Sequence, residues 1–191
     1  MTTLYIFRMS LIDRLCDSRA LRQRIAGSRD RLYRVALAWS ADAMVADDLV
    51  QETLETALGK LHQLRETERL YAWMYSIMNN CWRHHLRRQK PDCELDDEQP
   101  AEDNDPAQLS DRHALVAQVR TAIARLPIGQ REVLTLVDLE GFTYQEVADI
   151  LEIPIGTVMS RLNRARAFLQ TALRSLRPEA RGEVAQLRRI Q

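Results

Sequence analysis

The residues best equipped for chemistry are cations and hydroxyls in the last third of the chain. Thr157, Ser160, Arg161 and Arg164 recur at helical spacing, opposite an apolar stripe of Val158, Leu162, Ala165 and Leu169. From Ile155 to Arg177 there are five arginines and no Asp or Glu. Guanidinium groups and hydroxyls on one helix face suit phosphate oxygens and base edges in a DNA major groove. The plain alternative is a helical hairpin with a solvated arginine face.

A second polar group lies midway. Asn79, Asn80, Arg83, His84, Arg87 and Arg88 share one side of Ala72–Gln89, interleaved with Trp73, Tyr75 and Trp82. Cations that track phosphates beside aromatic rings are what single-stranded nucleic acid requires. The rings themselves read better as core, since large aromatics dominate interiors. A third group, Asp47, Asp48, Gln51, Glu52 and Glu55, makes an acidic helix face with no basic residue until Lys60. Such a face is either simply solvated or a docking surface for a basic partner.

Catalysis finds little support. Cys81, His84, His85 and Cys93 read C-x2-H-H-x7-C, with Pro91 intervening, which lacks the paired spacing of structural zinc sites. The four His and the carboxylates show no nucleophile–base pattern. No metal, cofactor or catalytic residue is assigned.

The elements that must position these groups are all helical. Thr143-Tyr144-Gln145-Glu146 is a capping box. The helix it opens has Tyr144, Val147, Ala148 and Leu151 as an apolar stripe. Glu152-Ile153-Pro154 ends it, because the residue before a proline is pushed out of helical geometry, and Pro154 opens the next helix. The pair has the pattern of a helix-turn-helix with the second helix as reader. Upstream, Gln130–Glu140 predicts a helix with Val133, Leu134 and Val137 inward and Gly141 at its C-cap. Another is predicted over Ala114, Leu115, Val119, Ile123 and Leu126, then a turn at Leu126–Gly129. In the first half, Leu21–Trp39 predicts a helix with a break at Gly27-Ser28. After a turn at Ser40–Asp42, the next runs from about Val45 to Leu64 with Val50, Leu54, Ala57, Leu58 and Leu61 inward. Residues 65–71 read as a polar loop before the helix of Ala72–Gln89.

Net charge is zero, but it is unevenly laid out. Residues 1–90 carry 15 basic and 10 acidic groups, 91–111 carry none and 9, and 112–191 carry 12 and 8. Two basic blocks thus flank an acidic one, and each is a candidate nucleic-acid surface. The 91–111 stretch, with three prolines and almost no apolar content, reads as an extended, flexible acidic linker. The fold expected is all-α: two small helical domains, 21–90 and 112–177, joined by that linker. Residues 1–20 form an N-terminal extension, in which Met9 is an alternative start, and 178–191 a polar tail. Three cysteines in no framework spacing favour a reducing compartment. Leu4–Phe7 is broken by Arg8 without a cleavage site, so no signal peptide is read. No apolar run approaches a membrane span. The expected location is cytoplasmic, without membrane insertion.

With both halves read, the chain resembles bacterial sigma factors of the extracytoplasmic-function group over about Asp30 to Arg177. The first half carries AxDLVQET at Ala46–Thr53, AWMYSIMNN at Ala72–Asn80 and HLRR at His85–Arg88, similar to that family's region 2. The second carries LPxxQREVL at Leu126–Leu134, EGFTYQEVADIL at Glu140–Leu151 and IPIGTVMSRLNRAR at Ile153–Arg166, similar to region 4. Two motif sets in the right order across an acidic linker are far more specific than a helix-turn-helix alone.

The resemblance implies an alternative sigma factor that binds core RNA polymerase and directs promoter recognition, melting and initiation for a stress or envelope-type regulon. It implies that Asp48, Gln51, Glu52 and Glu55 dock on the polymerase. Arg65, Thr67 and Arg69 of the loop, with Asn80, Arg83, His84, Arg87 and Arg88, would hold the minus-10 element as a single strand. Thr157, Met159, Ser160, Arg161, Asn163 and Arg164 would face the minus-35 duplex. An anti-sigma factor is implied as a further partner, clamping the two domains. Three departures stand out: Met159 where the family usually has Lys or Arg, Tyr71 where a basic residue is frequent, and a charged minus-10 loop without Gly/Ser character. The competing reading is a sigma-like decoy that sequesters an anti-sigma factor without binding DNA, against which the basic helix at 83–90 argues. A one-component repressor would need a sensing pocket that residues 1–90 do not signal.

Overall fold

The computed structural model describes residues 19–89 and 111–174, and they are helical without a strand among them. The expected extension, the acidic linker up to residue 110 and the polar tail lie outside the described residues. Helix α1 (19–27) meets α2 (Arg29–Ser40) at Ser28, where the sequence places a break. Ser28 Oγ donates to the Ile25 carbonyl at 2.6 Å, which satisfies a carbonyl at the end of α1. α2 ends at Ala41 in left-handed geometry (φ 56°), its N–H returning to the Leu37 carbonyl. Asp42 then caps α3 (Ala43–Gly59) by accepting from the N–H groups of Met44 and Val45 at 2.7 and 3.1 Å.

α3 ends earlier than expected. Leu61–Gln63 forms a separate 3-10 turn, and Leu58 is exposed, not inward. Val50 and Ala57 are buried as expected, Leu54 and Leu61 are partly covered, and Ala46, Leu49 and Thr53 are buried with them. The 65–71 loop contains a short 3-10 turn at Thr67–Arg69, and α4 begins two residues early, at Leu70–Gln89.

In the second half, α5 is Asp111–Ala124 and α6 is Ile128–Leu134. α6 continues as a π-turn over Thr135–Leu139, with the Glu140 N–H reaching the Thr135 carbonyl at 3.1 Å. The helix expected over Gln130–Glu140 is therefore α-helical only in its first part. The widened turn inserts a residue, as such turns do. Gly141 follows at φ 77°, the left-handed position the sequence reserves for it. α7 (Tyr144–Leu151) and α8 (Ile155–Ala172) complete the chain. Tyr144, expected inward, is exposed, and Ile150 takes the buried place. Pro154 sits one position outside α8, as its N-cap.

The two expected helical domains pack on one another: one apolar cluster runs from Ile25 through α2, α3 and α4 into α6, α7 and α8. α2 packs on α5 and α6, and α4 packs on α7. Sequence periodicity identifies an apolar face but not which helix covers it.

Candidate nucleic-acid interface

The reader helix is well formed. Thr143 Oγ1 accepts from the Glu146 N–H at 3.3 Å, and Glu146 returns to the Thr143 N–H at 2.8 Å, completing the capping box. These backbone and hydroxyl bonds hold the Glu146 carboxyl below its ordinary range. α7 ends at Glu152 in left-handed geometry (φ 55°), and the Ile153 N–H closes on the Ala148 carbonyl at 3.1 Å. That sharp turn sets α8 against α6 and α7, burying Val158, Leu162 and Ala165, with Leu169 only partly covered.

The opposite side of α8 carries the predicted groups. Met159, Ser160, Asn163 and Arg164 are exposed, while Thr157 and Arg161 are half-buried. Ser160 Oγ donates to the Thr157 carbonyl at 3.1 Å. Arg166 is committed elsewhere: its Nη2 and Nε meet Asp138 at 2.6 and 3.2 Å, a bidentate pair that fastens α8 to the π-turn. Arg166 is therefore a structural residue of α8.

On α4, Asn80, His84, Arg87 and Arg88 are exposed, in line with the sequence. Arg65, Thr67 and Arg69 are exposed on the preceding loop. Asn79, grouped with them by periodicity, is buried: its Nδ2 donates to the Ile150 carbonyl at 3.1 Å. Arg83 is also engaged, donating to the Leu151 carbonyl and to Glu152 Oε2, the latter at 3.2 Å. Tyr75 and Trp82 are core, as expected, whereas Trp73 is only partly buried. Trp82 stacks on His85 at 5.6 Å between ring centroids, and its indole N–H donates to Glu132 at 3.0 Å. Asp48, Gln51, Glu52 and Glu55 lie exposed along α3, with Gln51 donating to Glu55 at 3.0 Å.

Several structural groups were not legible as such. Arg131, part of a motif but assigned no role, is buried, and its guanidinium donates to the carbonyls of Trp39, Ala124 and Leu126 at 2.7, 2.6 and 2.9 Å. Arg31 pairs with the almost fully buried Glu140 carboxylate and lies over the Tyr71 ring, 4.2 Å from its centroid. Tyr71 thus receives a cation where the resembled family often supplies one. Burial, and next the Glu140 carboxylate, pushes the Tyr75 hydroxyl well above its usual range. Cys81 is buried and its thiol is pushed up to about 11, chiefly by desolvation. The described residues contain no cluster of His, Cys, Asp or Glu that could hold a metal ion, and no helix long and apolar enough to cross a membrane.

Comparison with known proteins agrees with the motif order. The family model for Sigma-70 region 2 matches residues 25–91, and that for Sigma-70, region 4 matches residues 117–169. The chain is 37% identical over 161 residues to the ECF RNA polymerase sigma factor EcfG of Rhodopseudomonas palustris, covering 83% of this chain and 87% of that one. It is 30% identical over 180 residues to the RNA polymerase sigma-H factor of Pseudomonas aeruginosa, covering 86% and 91%. Among solved structures, it resembles the sigma factor RpoE of Bartonella quintana, crystallised with the anti-sigma factor NepR. The TM-score is 0.66 at 27% identity, over 82% of this chain and 98% of that one. CnrH in complex with the cytosolic domain of CnrY is also similar, with a TM-score of 0.58 at 25% identity over 82% and 89% of the two chains. With both sigma regions matched in order and relatives covered over most of their length, the chain belongs to the extracytoplasmic-function RNA polymerase sigma factors.

Proposed function

We propose that this chain is an alternative sigma factor that binds core RNA polymerase and directs promoter recognition, melting and initiation, with its labour divided between its two halves. The observation that carries this is the presence of region 2 and region 4, in order, in one chain. The decoy reading is not favoured, because the relatives are RNA polymerase sigma factors.

Within that function, the 21–90 half docks on polymerase through the exposed α3 residues Asp48, Gln51, Glu52 and Glu55. Its loop residues Arg65, Thr67 and Arg69, with Asn80, Arg83, His84, Arg87 and Arg88 of α4, hold the melted minus-10 strand, cations meeting phosphates. The 112–177 half presents Thr157, Met159, Ser160, Arg161, Asn163 and Arg164 to the minus-35 duplex, a hydroxyl-bearing basic face of the kind that enters a major groove. The acidic segment 91–111 connects them. The chain works in the cytoplasm, on an envelope or stress regulon, and is not an enzyme: the polymerase performs the chemistry. RpoE was solved with the anti-sigma factor NepR, and CnrH with the cytosolic domain of CnrY; an anti-sigma factor is the corresponding partner here.

Run-off transcription with core polymerase tests the reading. The wild-type chain should direct initiation from specific promoters. Arg161→Ala with Arg164→Ala should abolish that initiation and leave binding to core intact. Normal promoter use by the double variant would remove the reader face from the assignment. Failure of the wild-type chain to bind core would remove the function.

A further inference from the structure

The outward side of α8 has two unlike edges. Thr157, Arg161 and Arg164 form one, which bears cations and a hydroxyl. Ile155 and Met159 form the other, and they are 39% and 49% exposed. Four residues apart, these two side chains are neighbours, and they stand in the first turns of the helix, where a reader helix meets base edges. Ser160 lies between the edges, exposed, and Gly156 beside it has no side chain, although a Cβ there would meet nothing within 4 Å. A glycine inside a helix costs stability relative to alanine. Nothing in the fold around Gly156 calls for that cost, whereas close approach of the helix to a groove floor does. Single apolar residues on a surface need no explanation. An apolar edge on the face assigned to duplex DNA does.

An apolar side chain gains nothing from a phosphate, and the major groove offers it one hydrophobic partner, the C5-methyl group of thymine. Methionine suits that partner, since its unbranched thioether adapts to the surface it meets. Ser160 adds a match. Its Oγ donates to the Thr157 carbonyl at 3.1 Å, so toward the groove it is an acceptor. An apolar group next to an acceptor complements an A·T pair, whose major-groove edge carries a methyl and an amino group. We propose that Met159, supported by Ile155, is a specificity-determining residue that reads the methyl group of a thymine in the minus-35 duplex. This rests on the assignment of α8 to that duplex. Where the resembled family usually has a cation, this chain gains a base contact that releases no counterion. Arginine at the same position exchanges that contact for a charge, so its net gain in affinity is greatest on a duplex lacking the methyl group.

The test uses holoenzyme assembled from core polymerase and the full-length chain, with a promoter duplex from which it initiates. Each minus-35 thymine is replaced in turn by deoxyuridine, which lacks the methyl group and keeps every hydrogen-bonding atom. At one thymine the wild-type complex should weaken about fourfold, the effect of one buried methyl-sized group. Met159→Ala should bind the thymine duplex about fourfold less tightly than wild type and show no further loss on deoxyuridine. Met159→Leu keeps an apolar tip and should retain most of the discrimination, and Ile155→Ala should reduce it without abolishing it. The absence of any minus-35 thymine whose methyl group affects wild-type affinity overturns the proposal, and that arm needs no variant to fold. Discrimination that persists in Met159→Ala overturns it equally. A wild-type chain that initiates nowhere overturns the proposal together with the function on which it rests, whereas initiation with methyl-insensitive binding overturns the proposal alone.

Discussion

The Trp39 indole N–H donates to Thr135 Oγ1 at 2.7 Å across 96 residues of sequence, with both side chains buried. Thr135 in turn donates within its own helix, to the Arg131 and Glu132 carbonyls at 2.9 and 3.0 Å. A single hydroxyl therefore serves as acceptor for one half and as donor within the other. The Arg131 guanidinium reaches the Trp39 carbonyl from the same region, so the end of α2 is held by a donor and an acceptor from one turn of α6.

Removing either partner of the Trp39–Thr135 bond leaves the other buried without its mate, at a cost of about 1–3 kcal/mol. Trp39→Phe and Thr135→Val should each lower stability to urea by that order. Together they should cost less than the sum, because the double variant leaves neither group stranded. A double-mutant cycle measures this, and strict additivity would show that the bond couples nothing.

Arg131 makes a sharper case. Burial disfavours its charge and pulls its pKa down, and three carbonyl oxygens replace the water it has lost. Lysine has a point charge on a flexible stem and cannot reproduce a planar fork. Arg131→Lys is expected to destabilise by on the order of 3 kcal/mol, the scale for disrupting a buried charged network. Chemical denaturation checks it; a loss below about 1 kcal/mol, the scale of an ordinary hydrogen bond, would contradict the arrangement.

Helix existence was legible from periodicity, and the capping box and Gly141 were legible from local backbone chemistry. Asp42, placed by the sequence in a turn, caps α3. Those features depend on residues within a turn or two of one another. What could not be read was long-range. Arg131, Glu140 and Asn79 look like surface groups in a pattern of polar and apolar letters, yet each is buried because a partner from the other half completes it. Leu58 and Tyr144 fail in the opposite sense, being apolar letters on the right period that no neighbouring helix covers. The candidate interface shows the same division. Its exposed members, such as Arg164, Asn80 and Arg87, follow from periodicity, whereas the engagement of Arg83 with Glu152 needed the fold.

The capping box gives a pH dependence with a definite sign. The folded-state pKa of Glu146 is depressed by the Thr143 N–H and hydroxyl. Its contribution is therefore present above the ordinary carboxylate pKa and is lost as pH falls through the depressed value. Glu146→Gln should flatten that part of the acid limb of stability. At neutral pH, Thr143→Ala should cost about 1 kcal/mol, the usual loss for an N-cap hydroxyl. Urea melts between pH 3 and 7 test both, and an unchanged acid limb in Glu146→Gln would remove the capping carboxylate from the account.

Met159 allows a gain-of-contact prediction. It is half-exposed on the side of α8 proposed to face DNA, between Val158 in the core and the exposed Ser160. An apolar side chain there can contribute nothing to counterion release. An arginine at the same place is long enough to reach a phosphate and perturbs no buried neighbour. Met159→Arg should tighten the complex of holoenzyme with minus-35 duplex and steepen the log–log dependence of affinity on salt by about one unit, the contribution of one added phosphate contact. Thermal stability should change by less than about 0.5 kcal/mol, as for surface substitutions away from packed groups. A tighter complex with no change in salt slope would mean that the added group reads a base edge, and position 159 would then bear on promoter choice more than on affinity. No change in either quantity would place Met159 outside the interface and rotate the reader face toward Asn163 and Arg164.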